Sequence, residues 1–91
     1  MPTLFAWDTD KAKTNLRKHK VSFDEAQTIF TDDFSIVIPD ADHSDLETRW
    51  VIIGMSNHRR LLVVVYTERS KMIRLISARK ATRAEHKKYE E

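Results

Sequence analysis

The chain has 91 residues, a net charge of +2 and no cysteine. The length favours one domain over residues 1–91, and the missing thiols exclude disulfides and cysteine sites. No apolar run reaches the ~20 residues of a membrane span, and no signal-peptide pattern opens the chain, so we expect a cytoplasmic protein.

Charged residues are segregated along the chain. Residues 1–20 carry five Lys and Arg against two acids, residues 21–48 carry eight acids and no Lys or Arg, and residues 49–91 carry eleven Lys and Arg against four acids. This pattern suggests one surface for a polyanion and another for a basic partner. Solvated faces that neutralise one another on folding are the favoured explanation when the charge pattern is taken alone.

The first part of the chain predicts a short strand and a helix. Leu4–Trp7 alternates weakly, as an edge strand does, and Asp8 stands where an N-cap belongs. A helix is expected over Asp10–His19. Its predicted inner face consists of Ala12, Leu16 and His19, with Asn15 beside them.

A second helix is expected over Phe23–Phe30. Ser22 and Glu25 have the spacing of a capping box, in which each side chain satisfies a backbone N–H of the other residue. The helix presents an apolar face of Phe23, Ala26 and Phe30. Thr31 and the two aspartates that follow it end the helix.

The second half of the chain predicts four strands and a last helix. The β-forming runs are Phe34–Ile38, Arg49–Met55, Leu61–Thr67 and Met72–Arg79. Thr82 with Glu85 forms a capping box that opens a helix over Thr82–Tyr89. The order β-α-α-β-β-β-β-α, with short connections between strands, predicts an α+β domain with two N-terminal helices packed on a curved antiparallel sheet.

Several segments together match one family pattern. They are Phe5-x-Trp7-Asp8, Lys11-x-x-x-Asn15-x-x-Lys18-His19-x-Val21-x-Phe23-x-Glu25-Ala26, Asp42-His43-Ser44, Arg49-Trp50, Ile53-Gly54, Leu62-Val63-Val64-Val65-Tyr66-Thr67-Glu68 and Arg74-x-Ile76-Ser77-Ala78-Arg79-x-Ala81-Thr82-x-x-Glu85-x-x-Tyr89. In this order and spacing the chain resembles the BrnT family of type II toxins, which is similar in fold to RelE-type ribonucleases.

The resemblance implies a fold, an activity and partners. The expected fold is RelE-like, and the expected protein is a toxin that cleaves RNA, either free or on the ribosome, and arrests translation. The resemblance also implies a BrnA-like antitoxin with a ribbon-helix-helix part, through which the complex binds operator DNA. No membrane partner and no cofactor are expected.

Cations cluster where the last strand meets the last helix. RNA can be cut without metal when its own 2′-hydroxyl attacks the adjacent phosphate, which requires proton transfer and charge stabilisation. Arg79 is the first candidate for stabilising the phosphate, because the family motif places an arginine there. Pairing with Glu85 or Glu68 is the structural alternative.

Arg74 is the second catalytic candidate. It stands five positions before Arg79, so a regular strand places the two arginines on opposite faces. A bulge, or a strand that ends before Arg79, would bring them together. The sequence leaves these alternatives open.

Lys18 and His19 end the first helix. In the functional alternative, His19 transfers protons and Lys18 contacts a phosphate. Cations at a helix C-terminus are also favoured by the helix dipole, and His19 falls on the apolar face, where a buried structural histidine fits as well.

Four further residues are candidates for contacts to RNA. Arg49, Lys80 and Arg83 suit the RNA backbone, although each is equally explained as a surface cation. Tyr89 suits base stacking, with packing against the sheet as the favoured alternative.

The segment Asp40-x-Asp42-His43 resembles a metal cluster superficially, but the sequence offers no matching set of ligands, so we predict no metal site. Two other functions remain open. One is a non-enzymatic module that binds RNA or the ribosome. The other is a scaffold that holds a DNA-binding antitoxin as a co-repressor.

Overall fold

The computed structural model describes residues 4–40 and 47–91, so the expectations for Asp42 and His43 lie outside the described residues. The strands are β1 (Leu4–Ala6), β2 (Ile36–Pro39), β3 (Arg49–Met55), β4 (Leu61–Arg69) and β5 (Met72–Lys80). The helices are α1 (Thr9–His19), α2 (Phe23–Ala26), a 3-10 helix (Gln27–Thr31) and α3 (Arg83–Glu90).

The five strands form one mixed sheet in the order β1-β5-β4-β3-β2. Strands β2 to β5 are an antiparallel meander, as predicted from their short connections. The prediction of a wholly antiparallel sheet is wrong at one edge, because β1 pairs with β5 in parallel. Helices α1 and α2 and the 3-10 helix lie between β1 and β2 in the chain, so the chain crosses from one edge of the sheet to the other.

Helix α1 begins and ends at capping residues. The carboxylate of Asp8 accepts a hydrogen bond from the backbone N–H of Lys11 at 3.0 Å. Lys20 adopts the left-handed conformation with φ 61°, and its N–H donates to the carbonyl of Leu16. The predicted inner face is wrong at Leu16, whose side chain is 50% exposed, whereas Asn15 is buried.

Helix α2 is shorter than predicted and continues as a 3-10 helix. The hydroxyl of Ser22 accepts from the N–H of Glu25, as half of a capping box requires. The side chain of Glu25 does not return the bond, because it instead accepts hydrogen bonds from Ser56 and Arg60. This buried carboxylate connects α2 to the turn between β3 and β4.

The main core lies between the sheet and the two N-terminal helices. It contains the apolar residues of α2 together with alternate residues of the central strands: Val21, Phe23, Ala26, Ile29, Ile52, Leu62, Val64, Tyr66, Leu75 and Ala78. A smaller cluster of Ile53, Leu61 and Val63 lies on the other face, where Tyr89 of α3 packs against it. Helices therefore cover both faces, and α3 covers one of them only in part.

Asn15 attaches α1 to the edge of β5. Its amide nitrogen donates to the carbonyl of Ala78 at 2.8 Å, and its amide oxygen accepts from the N–H of Ala78 at 3.0 Å. A third bond reaches the carbonyl of Val21. Beyond the end of β1, the Asn15 amide thus makes the two backbone hydrogen bonds to β5 that a neighbouring strand would make. These bonds hold α1 beside β5.

None of the helices in the described ranges combines the length and the apolar character that spanning a bilayer requires.

Candidate nucleic-acid site

Strand β5 contains a β-bulge between its two arginines. Val65 of β4 pairs with Ser77, but the next residue, Tyr66, pairs with Leu75, so Ile76 has no partner. One extra residue in β5 reverses the alternation of its side chains beyond this point. Residues after the bulge therefore point to the face opposite the one that a regular strand would give them.

The bulge places Arg74 and Arg79 on the same face of the sheet. Arg74 pairs with Thr67 and Arg79 pairs with Val63, and these two β4 residues are four positions apart, so their side chains share a face. At about 3.3 Å per residue, the two arginine backbones are about 13 Å apart. The sequence left open whether the two arginines lie on opposite faces or on one face, and the bulge places them on one face.

A row of polar residues crosses three strands on this face. Arg49, Thr67 and Arg74 are direct neighbours in β3, β4 and β5. Adjacent strands lie about 4.8 Å apart, so the two arginines flank Thr67 closely. Arg74 is exposed, Arg49 is half-buried and Thr67 is buried.

A second row runs parallel to the first and is mostly apolar. Ile38, Val51, Val65 and Ser77 are successive neighbours from β2 to β5, and all four are half-buried. Together the two rows form a surface that we call the open sheet face, consisting of Ile38, Arg49, Val51, Val65, Thr67, Arg74 and Ser77. Beyond it, α3 covers the row that includes Ile53 and Val63.

The centre of the open sheet face holds a buried hydroxyl. The side-chain oxygen of Thr67 forms no hydrogen bond of good geometry within the described residues, but it interacts with Glu47 and helps to lower the pKa of that carboxyl. Thr67 therefore contributes a polar group beside Glu47, in the row between the two arginines.

Glu47 lies beside this row and is engaged by Arg69. The guanidinium of Arg69 donates to both carboxylate oxygens and lowers the pKa of Glu47, with a smaller contribution from the charge of Arg74. Arg74 itself makes no hydrogen bond within the described ranges. Its guanidinium is thus available to an anionic ligand.

Arg79 forms the ion pair that the sequence offered as its structural alternative. Its two terminal nitrogens donate to the two carboxylate oxygens of Glu85 at 2.8 and 2.9 Å. Glu85 also accepts from the backbone N–H of Thr82, which completes the predicted capping box. The bond from Arg79 and that cap lower the pKa of Glu85 to about 2. The guanidinium is therefore held rigidly, and its charge is balanced.

The other C-terminal candidates lie in different surroundings. Lys80 pairs with Leu62, whose side chain enters the main core, so Lys80 stands on the opposite face from Arg79. Arg83 is exposed in the first turn of α3. Neither residue belongs to the open sheet face.

Tyr89 packs against the sheet, which is the alternative favoured from the sequence. Its ring contacts the small cluster on the α3 face, and its hydroxyl donates to Asp32. That hydrogen bond, with burial, raises the pKa of Tyr89 to about 12. The phenol therefore stays protonated at neutral pH and fastens α3 to the residues that precede β2.

Lys18 and His19 line an open cleft of about 320 Å³ between α1 and β5. The bulge residues Ile76 and Ser77 form the opposite wall. Because Ser77 also belongs to the open sheet face, the cleft adjoins that face along β5. The structure thus brings the two helix residues to the strand that carries Arg74 and Arg79.

Sequence reasoning missed Thr67 and Ser77. Both stand within segments of the family pattern, but neither is charged, and their position depends on strand register and on the bulge. No sequence signal specified that register. Within residues 4–40 and 47–91, no group of three His, Cys, Asp or Glu side chains could hold a metal ion.

The arrangement is suited to a single-stranded polyanion. The exposed guanidinium of Arg74 can bind phosphate oxygens, and the adjacent apolar row can accept the face of a base. A phosphate between Arg74 and Arg79 would lie beside the cleft that contains His19. The geometry therefore places cations, an apolar surface and His19 along one strand.

The comparisons with known proteins agree on a family and a fold. The family model described as BrnT, a ribonuclease toxin of type II toxin-antitoxin systems, matches residues 7–85. The 1.1 Å crystal structure of the Brucella abortus ribonuclease toxin BrnT matches with a TM-score of 0.69 and 22% identity, over 90% of this chain and 100% of that one. At this identity the likeness shows the fold alone. No curated protein sequence matches the chain.

Proposed function

Because the chain belongs to the BrnT family of ribonuclease toxins of type II toxin-antitoxin systems, we propose that it is a metal-independent endoribonuclease. Cleavage of RNA inhibits translation until an antitoxin neutralises the toxin. The proposed antitoxin is BrnA-like, with a ribbon-helix-helix part through which the complex binds operator DNA. The proposed site of action is the cytoplasm.

The observation that carries this proposal is the row of Arg49, Thr67 and Arg74 beside the apolar row of the open sheet face. Cations give affinity for the RNA backbone, and an apolar platform accepts bases without sequence preference. The position of Arg79 on the same face supports a role for both β5 arginines at one stretch of RNA.

In the proposed reaction the 2′-hydroxyl oxygen attacks the adjacent phosphorus, and the bond from phosphorus to the 5′-oxygen breaks. The proton of the 2′-hydroxyl leaves to a base, and the departing 5′-oxygen gains a proton. The products are a 2′,3′-cyclic phosphate and a 5′-hydroxyl. Arg74 and Arg79 stabilise the added charge on the phosphate, and Lys18 contacts a neighbouring phosphate.

His19 is the proposed proton-transfer residue. Glu85 has a pKa of about 2, so it is a weak base at neutral pH, and Tyr89, with a pKa of about 12, is a weak acid. An imidazole can both accept and donate a proton, so one side chain can serve in both directions. Its place in the cleft beside Ser77 supports this assignment.

A charge-matched pair of variants tests the open sheet face. Arg74→Ala removes an exposed guanidinium that makes no hydrogen bond to the residues that the structure describes and that interacts with Asp8 and Glu47 only through its charge, so the fold should be kept. We expect its kcat/KM on RNA to fall about 100-fold, as for the loss of one transition-state donor. Lys71→Ala removes an exposed cation from the adjacent turn and should change kcat/KM less than threefold. Equal losses of kcat/KM in the two variants would mean that Arg74 contributes only to the overall positive charge of the protein and not to a specific contact with RNA.

The second candidate is an RNA-binding module without catalysis. It is favoured by the ion pair of Arg79 with Glu85, which occupies one candidate catalytic group. Such a protein would bind RNA in a salt-dependent manner and leave it intact. Electrophoresis of the RNA after incubation separates the two functions, with translating ribosomes as the second substrate.

A further inference from the structure

A rigid apolar patch lies outside the candidate RNA site. Phe34 has 77% of its surface exposed, and Met55 has 37% exposed. Both backbone N–H groups donate to the carboxylate of Asp32, Phe34 at 3.0 Å and Met55 at 2.8 Å. The two residues are therefore neighbours, and we call them the Phe34 patch.

The Phe34 patch is held in place by one carboxylate. Asp32 also accepts the hydroxyl of Tyr89, so the same group connects the patch to α3. An aromatic side chain on a backbone fixed in this way loses little conformational freedom when it is covered. Exposed and preorganised aromatic residues are typical anchors of protein interfaces.

The charge around the patch indicates what covers it. Asp33 is exposed directly beside Phe34, and residues 21–48 contain eight acids and no Lys or Arg. Of these acids, Glu25 is buried against Arg60 and Glu47 is paired with Arg69, so the exposed charge directly beside the patch is that of Asp33. A negative charge next to an exposed aromatic ring repels RNA and attracts a basic protein segment. The patch also lies by β2, at the sheet edge opposite β1, and strands β3 and β4 separate it from β5.

Strand addition is an unsuitable way to use this edge. The N–H of Asp40 donates to the carbonyl of Arg49, and the alternation of an antiparallel pair then leaves Val37 and Pro39 facing outward. Pro39 has no N–H, so the edge offers a single outward donor within β2. Recognition at this side must depend mainly on side chains.

We infer that the Phe34 patch is the docking surface for the antitoxin, through an apolar side chain flanked by Lys or Arg. This inference rests on the antitoxin partner of the proposed function. It deepens that function because toxin and antitoxin then meet on a surface separate from the RNA-binding arginines. The basic partner is held by an apolar contact with Phe34 and by the carboxylate of Asp33 beside it.

The experiment compares Phe34→Ser with Leu16→Ser, which removes another exposed apolar side chain, on α1. The probe is the purified antitoxin encoded with this toxin, and its Kd is measured by calorimetry. We expect Phe34→Ser to weaken binding about 30-fold or more and Leu16→Ser to change it less than threefold. RNA cleavage by each free variant should match that of the wild type, since neither residue belongs to the proposed RNA site.

Asp33→Asn tests whether the negative charge beside Phe34 contributes to antitoxin binding. It should weaken antitoxin binding severalfold at low salt, and the effect should shrink as salt rises. Full affinity of Phe34→Ser, or no binding of antitoxin by the wild type, would overturn the inference. Loss of self-association in Phe34→Ser with unchanged antitoxin binding would assign the patch to a second copy of the chain instead. Failure of the free wild type to cleave RNA would refute the proposed activity and leave the docking result intact.

Discussion

Replacement of Glu85 by glutamine isolates the ion pair that holds Arg79. Glutamine keeps an oxygen that can accept from the N–H of Thr82, so the helix cap survives while the charge is lost. A carboxyl whose pKa falls from 4.5 to about 2 on folding contributes at most about 3 kcal/mol at neutral pH. Because the side chain of Arg79 is 42% exposed, solvent screens the pair, and we expect a loss of about 1–2 kcal/mol.

The pH dependence of this loss has a defined direction. The pKa of Glu85 is depressed in the folded protein, so its contribution is fully present above about pH 4.5 and is lost as pH falls toward about 2. The stabilities of wild type and Glu85→Gln should therefore converge over this acid range. Near neutral pH the variant should melt about 5–10 °C lower.

Urea unfolding followed by circular dichroism measures both effects, at pH 7 and at steps down to pH 3. RNA binding provides an independent readout, because an unpaired Arg79 should bind phosphate more tightly in the variant. Equal stability at pH 7, or a difference that persists unchanged to pH 3, would refute the ion-pair reasoning. Tighter RNA binding with reduced cleavage would mean that Glu85 positions the arginine for catalysis.

Three further substitutions test the packing around the site by the same unfolding measurement. Asn15→Ala removes three buried hydrogen bonds, two of them to Ala78, and should destabilise the fold by about 3 kcal/mol or more. A loss below about 1 kcal/mol would contradict the conclusion that the amide takes the place of a neighbouring strand. Thr67→Val removes a buried hydroxyl that interacts with Glu47 without a hydrogen bond of good geometry in the described residues, so stability should change by less than about 1 kcal/mol. A larger decrease would show that the hydroxyl makes a full hydrogen bond. Gly54→Ala would place a methyl carbon 3.1 Å from both the Cβ and the carbonyl oxygen of Ile29, so a loss of about 1–3 kcal/mol is expected, whereas neutrality would show that the backbone yields easily.

Local sequence signals predicted the parts of the fold that depend on neighbouring residues. Asp8 caps α1, and Thr82 with Glu85 forms a complete capping box on α3. The limits of Arg49–Met55 match those predicted from its apolar run and its turn residues. These features succeed because each is decided by side chains within a few positions of the backbone that they satisfy.

Features set by distant contacts could not be predicted in the same way. Glu25 has the spacing of a capping residue, yet a guanidinium 35 positions away competes for its carboxylate. Asn15 was placed beside an apolar face, but its three backbone partners made it more buried than Leu16. In both cases a long-range hydrogen bond overrode a local pattern.

The candidate site was predicted in its residues more than in its geometry. Arg74 and Arg79 were identified from the resemblance and their charge, but the bulge at Ile76 that places them on one face has no sequence signature. Thr67 and Ser77 acquire their positions from that same register. Strand pairing thus decided which of the predicted cations meet.

The central claim is metal-free cleavage of RNA, and analysis of the RNA ends tests it most directly. The purified chain, freed of any partner, is incubated with naked RNA in the presence of EDTA and, in a separate reaction, with translating ribosomes in the magnesium buffer that they require. We predict cleavage that yields 2′,3′-cyclic phosphate and 5′-hydroxyl ends, with a strong reduction in Arg74→Ala. Intact RNA on both substrates, or cleavage that requires added metal and leaves 5′-phosphate ends, would contradict the account.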